Sequence, residues 1–298
     1  MTAVRIELRG GGGEPVDFAR TLLSHGVAEL PPNVVSPDGM WLETLLPAAD
    51  TAWVIRVVAD GEAARMEVDD AAPADELARV IRHMLRLDDD LSAFYARAAE
   101  DPELAWATAG AGRMLRSPTV FEDVVKTICT TNCTWAATVR MVTALVGELG
   151  VSAADGRRAF PTPAAMAEAG DAFYTGAAKA GYRGPYLRAI ATDVANETLD
   201  LEALADPALP DDEVVERLLA LPGVGPYATA HMMMLLGRYR RLILDSWTRP
   251  TYRRIAGRPR VTDKGIEKAF RRYREYAGLA FWLMLTRDWV QTSAIDGS

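Results

Sequence analysis

The sequence predicts an α+β fold, mostly α: a small N-terminal antiparallel β-sheet domain, residues 1–112, followed by an all-helical domain, residues 113–298. Three observations predict it. Short segments alternating apolar with polar fill the first part, the hydrophobic period becomes helical after Asp75, and cap-type residues then open one helix after another. At 298 residues and 49% hydrophobic content, the chain can bury one large core or two modest ones.

The strand segments are VRIEL at 4–8, MWLETLL at 40–46, AWVIRVV at 52–58 and AARMEV at 63–68. Their length and alternation suit half-buried antiparallel strands. Gly10–Gly13 are read as a flexible turn, since no Gly-Lys-Ser/Thr follows them as a phosphate loop requires. From Asp75, DELARVIRHMLRL places Leu77, Val80, Ile81, Met84, Leu85 and Leu87 at helical spacing. Ser117 before Pro118, Thr162 before Pro163, and Asp211 then mark helix starts. The boundary between the two domains is placed at Gly110–Gly112. No repeat, low-complexity tract or long linker interrupts the helical part.

The opening segment MTAVRIELRGGGG lacks an apolar signal region and no apolar run is long enough for a membrane span, so a cytoplasmic location is expected. Cys129 and Cys133, four apart in a predicted helix, are read as free buried thiols. Two thiols cannot supply a four-ligand metal cluster, and no metal or cofactor is expected. Net charge is -8, yet Arg238–Arg274 holds thirteen Lys and Arg against Asp245, Asp263 and Glu267, a local +10. Such a patch serves either as a solvated face or as a phosphate-binding surface.

The segment LLALPGVGPYATAHMMMLLGRYRRLILDSWTRPTYRR, residues 218–254, reads as helix, tight glycine hairpin, helix, loop, and then an acidic residue opening another helix. Gly223 and Gly225 leave no side chain to block a phosphate, so the amides at the next helix's N-terminus can grip one. The plain alternative is a helix–helix turn. Asp245 is read either as a helix cap or as a reactive carboxylate, and a helix N-terminus suits both roles.

This stretch resembles the hairpin and catalytic loop of the helix-hairpin-helix base-excision DNA glycosylase superfamily, often called HhH-GPD. The resemblance is greatest to its 3-methyladenine glycosylase II and 8-oxoguanine glycosylase branch. It extends over residues 113–290 through SPTVFEDVVKTICTTNCTWAATVRMVTALVGELG, FPTPAAMA, AGYRGPYLRAIA and YAGLAFWLML in the family's order, and more weakly over the strand-rich part. It implies an enzyme that rotates a damaged base out of double-stranded DNA and cleaves its N-glycosidic bond, with Asp245 stabilising the oxocarbenium-like transition state.

The resemblance also implies DNA contacts at Asn132, Tyr182, Arg183, Gly223, Val224, Gly225 and Arg249. Asn132 and Tyr182 would fill the vacated stack, and a monovalent cation could sit on the backbone of Leu221 and Val224. Bifunctional relatives carry a Lys where this chain has Tyr227, so hydrolysis without strand nicking is implied. The implied base pocket comprises Tyr227, His231, Phe281 and Trp282. Aromatic walls suit alkylated purines, and Phe281 replaces the Gln that reads 8-oxoguanine. Core packing is the plain alternative for Phe281, Trp282 and Met284, and a structural role is the alternative for His231. His25 and His83 have no evident partner. An 8-oxoguanine, mismatched-thymine or uracil substrate, a DNA-binding protein without catalysis, and a helical scaffold for protein partners remain as other readings. A monomer is expected.

Overall fold

The computed structural model describes residues 1–290. Five strands, β1 (Thr2–Glu7), β2 (Val34–Val35), β3 (Trp41–Ala48), β4 (Thr51–Asp60) and β5 (Ala63–Val68), form one antiparallel sheet in the order β1-β5-β4-β3-β2. Val57 stands opposite Leu42 on one side and Met66 on the other. This register lines the inner face with apolar residues, as alternation requires.

Around and after the sheet come α1 (Phe18–Leu22), α2 (Ala74–Met84), α3 (Ser92–Ala99), α4 (Val120–Thr130), α5 (Trp135–Ala144), α6 (Pro163–Glu168), α7 (Arg183–Ala195), α8 (Asp211–Ala220), α9 (Pro226–Leu235), α10 (Thr248–Ile255), α11 (Asp263–Phe270) and α12 (Ala277–Thr286). The chain is thus a small sheet followed by helices, as its periodicity indicates. No helix among the described residues is long and apolar enough to cross a membrane.

Two apolar cores organise these elements. Leu77, Ile81 and Met84 of α2 cover the sheet through Ile6, Leu42, Leu46, Val57 and Met66. The larger core surrounds α4 and takes in Val27, Leu30, Leu91, Phe94 and Tyr95 from the chain before Gly110. Because α4 is buried on nearly every side, its charged residues must pair. Lys126 meets Glu122 at 2.6 Å, one turn away.

Several local readings are corrected. Thr119, not Ser117, caps α4, accepting the Glu122 N–H at 3.2 Å; the Ser117 N–H goes to Asp123 instead. Asp211 lies inside the first turn of α8 and pairs with Arg238 at 2.7 Å. Cys129 is buried, but α4 ends at Thr130 and leaves Cys133 exposed in the following turn.

Gly10–Gly13 form a turn, yet a packed one. A side chain on Gly10 would collide with Arg113 and Glu14, and one on Gly11 with the backbone of Asp88. Glu14 accepts the Leu91 N–H at 2.8 Å and pairs with the fully buried guanidinium of Arg113, which also donates to the Arg86 carbonyl at 2.6 Å. This pair fastens the sheet's edge loop to the start of the helices. Arg113→Met would leave Glu14 buried without its cation, and urea titration should show a loss of about 3–5 kcal/mol. A loss under about 1 kcal/mol, the range of surface pairs, would show that the pair contributes little.

Candidate active site

The hairpin joins α8 to α9 through Leu221–Gly225. Gly223 has φ of +84° and packs so closely on Tyr186 that a Cβ would lie 2.8 Å from that ring, so glycine is required twice over. Gly225 differs: its φ is -108°, and a Cβ there would meet nothing within 4 Å. Its bareness serves no packing need within the protein. Pro226 opens α9 without any side-chain cap at Gly225, leaving the first amides of that helix for an outside acceptor. Leu221 and Val224 are buried, and the Leu221 carbonyl takes the Val224 N–H at 3.2 Å.

Asp245 lies at the entry to α10 in a reciprocal cap. Its Oδ1 accepts the N–H of Trp247 at 2.8 Å and of Thr248 at 2.7 Å, while its own N–H donates to Thr248 Oγ1 at 2.8 Å. Its Oδ2 accepts no hydrogen bond, and its carboxylate forms no ion pair, among the described residues. The capping role and a free reactive oxygen therefore coexist in one side chain.

From the Asp245 cap the contacts run along an aromatic circuit. Trp247 packs on Trp282 with ring centres 5.7 Å apart, and Trp289 completes a tryptophan cluster at 5.5 Å from Trp247. The Trp282 indole N–H donates to the Ser24 carbonyl at 2.8 Å. The next residue, His25, meets His231 edge to face at 5.4 Å, and His231 stacks on Tyr227 at 6.3 Å. Burial, the main cause, pushes the Tyr227 phenol above its ordinary value, with the Asp245 charge adding to it, and Tyr227 lines a cleft that Leu244, the neighbour of Asp245, also lines.

The structure thus brings Trp282 to Trp247, which caps onto Asp245, gathers Tyr227 and His231 into one cluster with His25, and adds Ser24, His25 and Trp247 to the residues read from the sequence. Sequence reading missed these three, although Trp247 stands only two residues past the key acid. Phe281 is corrected: it lies in the core, 5.1 Å from Phe270 and 5.8 Å from Tyr252. Among the described residues, no three His, Cys, Asp or Glu side chains assemble into a metal-binding set.

Asn132 and Tyr182 meet on the surface, Asn132 Nδ2 donating to the Tyr182 hydroxyl at 3.4 Å. Asn132 has φ of +46°, a conformation Asn tolerates better than most residues, and Tyr182 is 51% exposed. Arg183 is corrected from a surface contact to a buried brace: its guanidinium bonds the Thr131 carbonyl and lies 4.5 Å over Tyr182, holding both wedge-like residues in place. Arg249 is engaged by Asp263 through two hydrogen bonds of 2.8 and 3.0 Å. It lines a cleft of about 660 Å3 together with Tyr227, Leu244, Arg240, Arg241, Arg271 and Arg274.

The two histidines are buried, and burial is the main cause of their low pKa values. His25 is pushed down to about 4, with the Leu115 hydrogen bond opposing and the Lys126 charge assisting; His231 falls to about 3, with His25 assisting. Both fold as neutral rings with pKa values below the ordinary 6.5. As pH falls below 6.5, the unfolded chain takes up their protons first, so their share of stability declines by roughly 1.4 kcal/mol per pH unit for each ring. Replacing His231 by Phe removes one such term. Between pH 7 and pH 5, urea titrations should move the stability of His231→Phe relative to the unmodified protein by about 2 kcal/mol in the variant's favour. An offset identical at both pH values would contradict the neutral buried ring.

No protein-family model and no curated protein sequence matches the chain. Solved structures do match. The 3-methyladenine DNA glycosylase of Archaeoglobus fulgidus is 22% identical, with a TM-score of 0.72 over 95% of this chain and 98% of its own. The 8-oxoguanine glycosylase/lyase of Clostridium acetobutylicum in its apo form is 20% identical, with a TM-score of 0.74 over 96% of each chain. The same enzyme in complex with double-stranded DNA containing cytosine opposite 8-oxoguanine gives 20% identity and 0.69 over 90% of this chain and 91% of its own. At such identities the likeness is one of architecture: the chain has the fold shared by these 3-methyladenine and 8-oxoguanine DNA glycosylases.

Proposed function

We infer that the chain is a monofunctional DNA glycosylase of base-excision repair that hydrolyses the N-glycosidic bond of a flipped-out alkylated purine in duplex DNA. One observation carries this reading: a carboxylate with one oxygen fixed by two amides and the other free stands on an aromatic circuit, downstream of a hairpin whose Gly225 faces open space. The DNA glycosylases that share its fold, one acting on 3-methyladenine and one an 8-oxoguanine glycosylase/lyase, support the glycosylase part of this reading.

The chemistry follows from the residues. Hairpin amides and the arginine-rich segment hold backbone phosphates, and Asn132 with Tyr182 fills the gap left by the extruded nucleotide. As the glycosidic bond breaks, positive charge grows on the sugar. Asp245 Oδ2 stabilises that charge and orients the attacking water. Trp247, Trp282 and Tyr227 form walls that attract an electron-poor, positively charged base. No amine stands at Tyr227 to form a Schiff base, so the product is an intact strand with an abasic site. The circuit has no amide side chain to read 8-oxoguanine, which favours alkylated purines.

The test uses end-labelled duplexes bearing 3-methyladenine, 7-methylguanine, 1,N6-ethenoadenine, 8-oxoguanine, uracil or a G·T mismatch. Strand breaks should appear with the alkylated purines, only after alkali, and fall by about 10²–10³-fold in Asp245→Asn. Breaks without alkali would overturn the monofunctional assignment. Intact duplexes that the protein nevertheless binds would leave a non-catalytic DNA-binding protein.

A further inference from the structure

The walls described so far are aromatic and account for affinity, but the far end of the circuit is polar. His25 and His231 are 3% and 6% exposed and touch at 5.4 Å. His25 Nε2 lies 2.7 Å from the Leu115 carbonyl, an acceptor, so its proton sits on Nε2 and Nδ1 presents a bare lone pair. That Nδ1 has no hydrogen-bond partner, and neither has His231 Nε2. Buried polar atoms are almost always paired, because leaving one unpaired costs free energy that folding must offset. Two such atoms lie on touching rings, reached through Tyr227 from the cleft that Leu244, the neighbour of Asp245, also lines, and through Ser24 from Trp282.

The geometry points to His25 and His231 as the specificity-determining pair of this site: the bare Nδ1 of His25 accepts from the exocyclic amino edge of the flipped alkylated purine, and His231 holds that ring edge to face beside Tyr227. This inference rests on the glycosylase reading above. The chemistry is complementary on two counts. An N-alkylated adenine or guanine carries positive charge and keeps an exocyclic amino group; a neutral His25 accepts from that N–H at Nδ1, and neither neutral ring repels the charge. A base whose amino group is tied into a ring, such as 1,N6-ethenoadenine, offers no N–H to His25 and leaves the lone pair unpaired, which is how polar sites discriminate.

The experiment measures kcat/KM for duplexes containing 3-methyladenine and 1,N6-ethenoadenine with the unmodified protein, His25→Phe, His231→Phe and His25→Asn. The preference for 3-methyladenine should fall by about tenfold or more in both Phe variants, and His25→Asn, which keeps an acceptor, should recover part of it. An equal loss on both substrates, or an unchanged preference, would overturn the inference and assign the histidines to packing. Should the Phe variants not fold, the unmodified protein labelled with [15N]histidine decides the matter. Free 3-methyladenine should shift the His25 Nδ1 and His231 Nε2 resonances, and unmoved resonances on saturation would overturn the proposal. If the unmodified protein releases neither base, the glycosylase reading itself fails. If it releases both with a preference indifferent to His25 and His231, only the reading pair fails.

Discussion

Two backbone amides of Trp247 and Thr248 grip one oxygen of Asp245, and Thr248 returns a hydroxyl to the Asp245 N–H. This exchange fixes the carboxylate's position and rotamer before any DNA arrives. Preorganisation of that kind is where catalytic groups gain most, since a charge already oriented need not reorganise as the sugar becomes cationic. Thr248 is completely buried, so the cap is anchored in the core, while the flanking Trp247 is 39% exposed.

The rest of the circuit is assembled from distant parts of the chain. Ser24 and His25 come from the segment between α1 and the sheet, while Tyr227 and His231 share one face of α9 and Trp282 lies on α12. The site therefore depends on the sheet and helices holding together. Glu14 and Arg113 fasten the edge loop, and Arg20 reaches across to the Arg287 and Val290 carbonyls at 3.0 and 2.9 Å while covering Trp106. The buried Glu122–Lys126 pair lies close enough to His25 for its lysine charge to depress that ring further. Neutral histidines, aromatic walls and one free carboxylate oxygen are together suited to a positively charged base and a positively charged transition state.

Much of this was legible in the sequence, for identifiable reasons. Alternation and helical period gave the sheet and the helices, because side-chain spacing is dictated locally. The glycine hairpin and Asp245 stood out through residue type and order, whereas Asn132 and Tyr182 were singled out only by the family resemblance and their contact is seen only in the structure. Phe281 could not be separated from Trp282, since LAFWLML is apolar all round and its sequence offers no polar face by which to orient the helix. The structure turns Phe281 toward Phe270 and Trp282 toward Ser24. His25 was beyond local reading because its partner, His231, lies about two hundred residues away and nothing near His25 hints at burial. Arg183 misled through its charge: it is buried because the Thr131 carbonyl and the Tyr182 ring give its guanidinium a better place than water does.

The central claim is that Asp245 stabilises positive charge on the sugar of a flipped nucleotide. It is tested most directly by comparing the affinity of the protein for duplexes bearing a cationic pyrrolidine abasic nucleotide and a neutral tetrahydrofuran one. A preference for the pyrrolidine of about a hundredfold or more, abolished in Asp245→Asn, is the result this account predicts. Equal binding of the two duplexes by the unmodified protein, or a preference that survives Asp245→Asn, would contradict it.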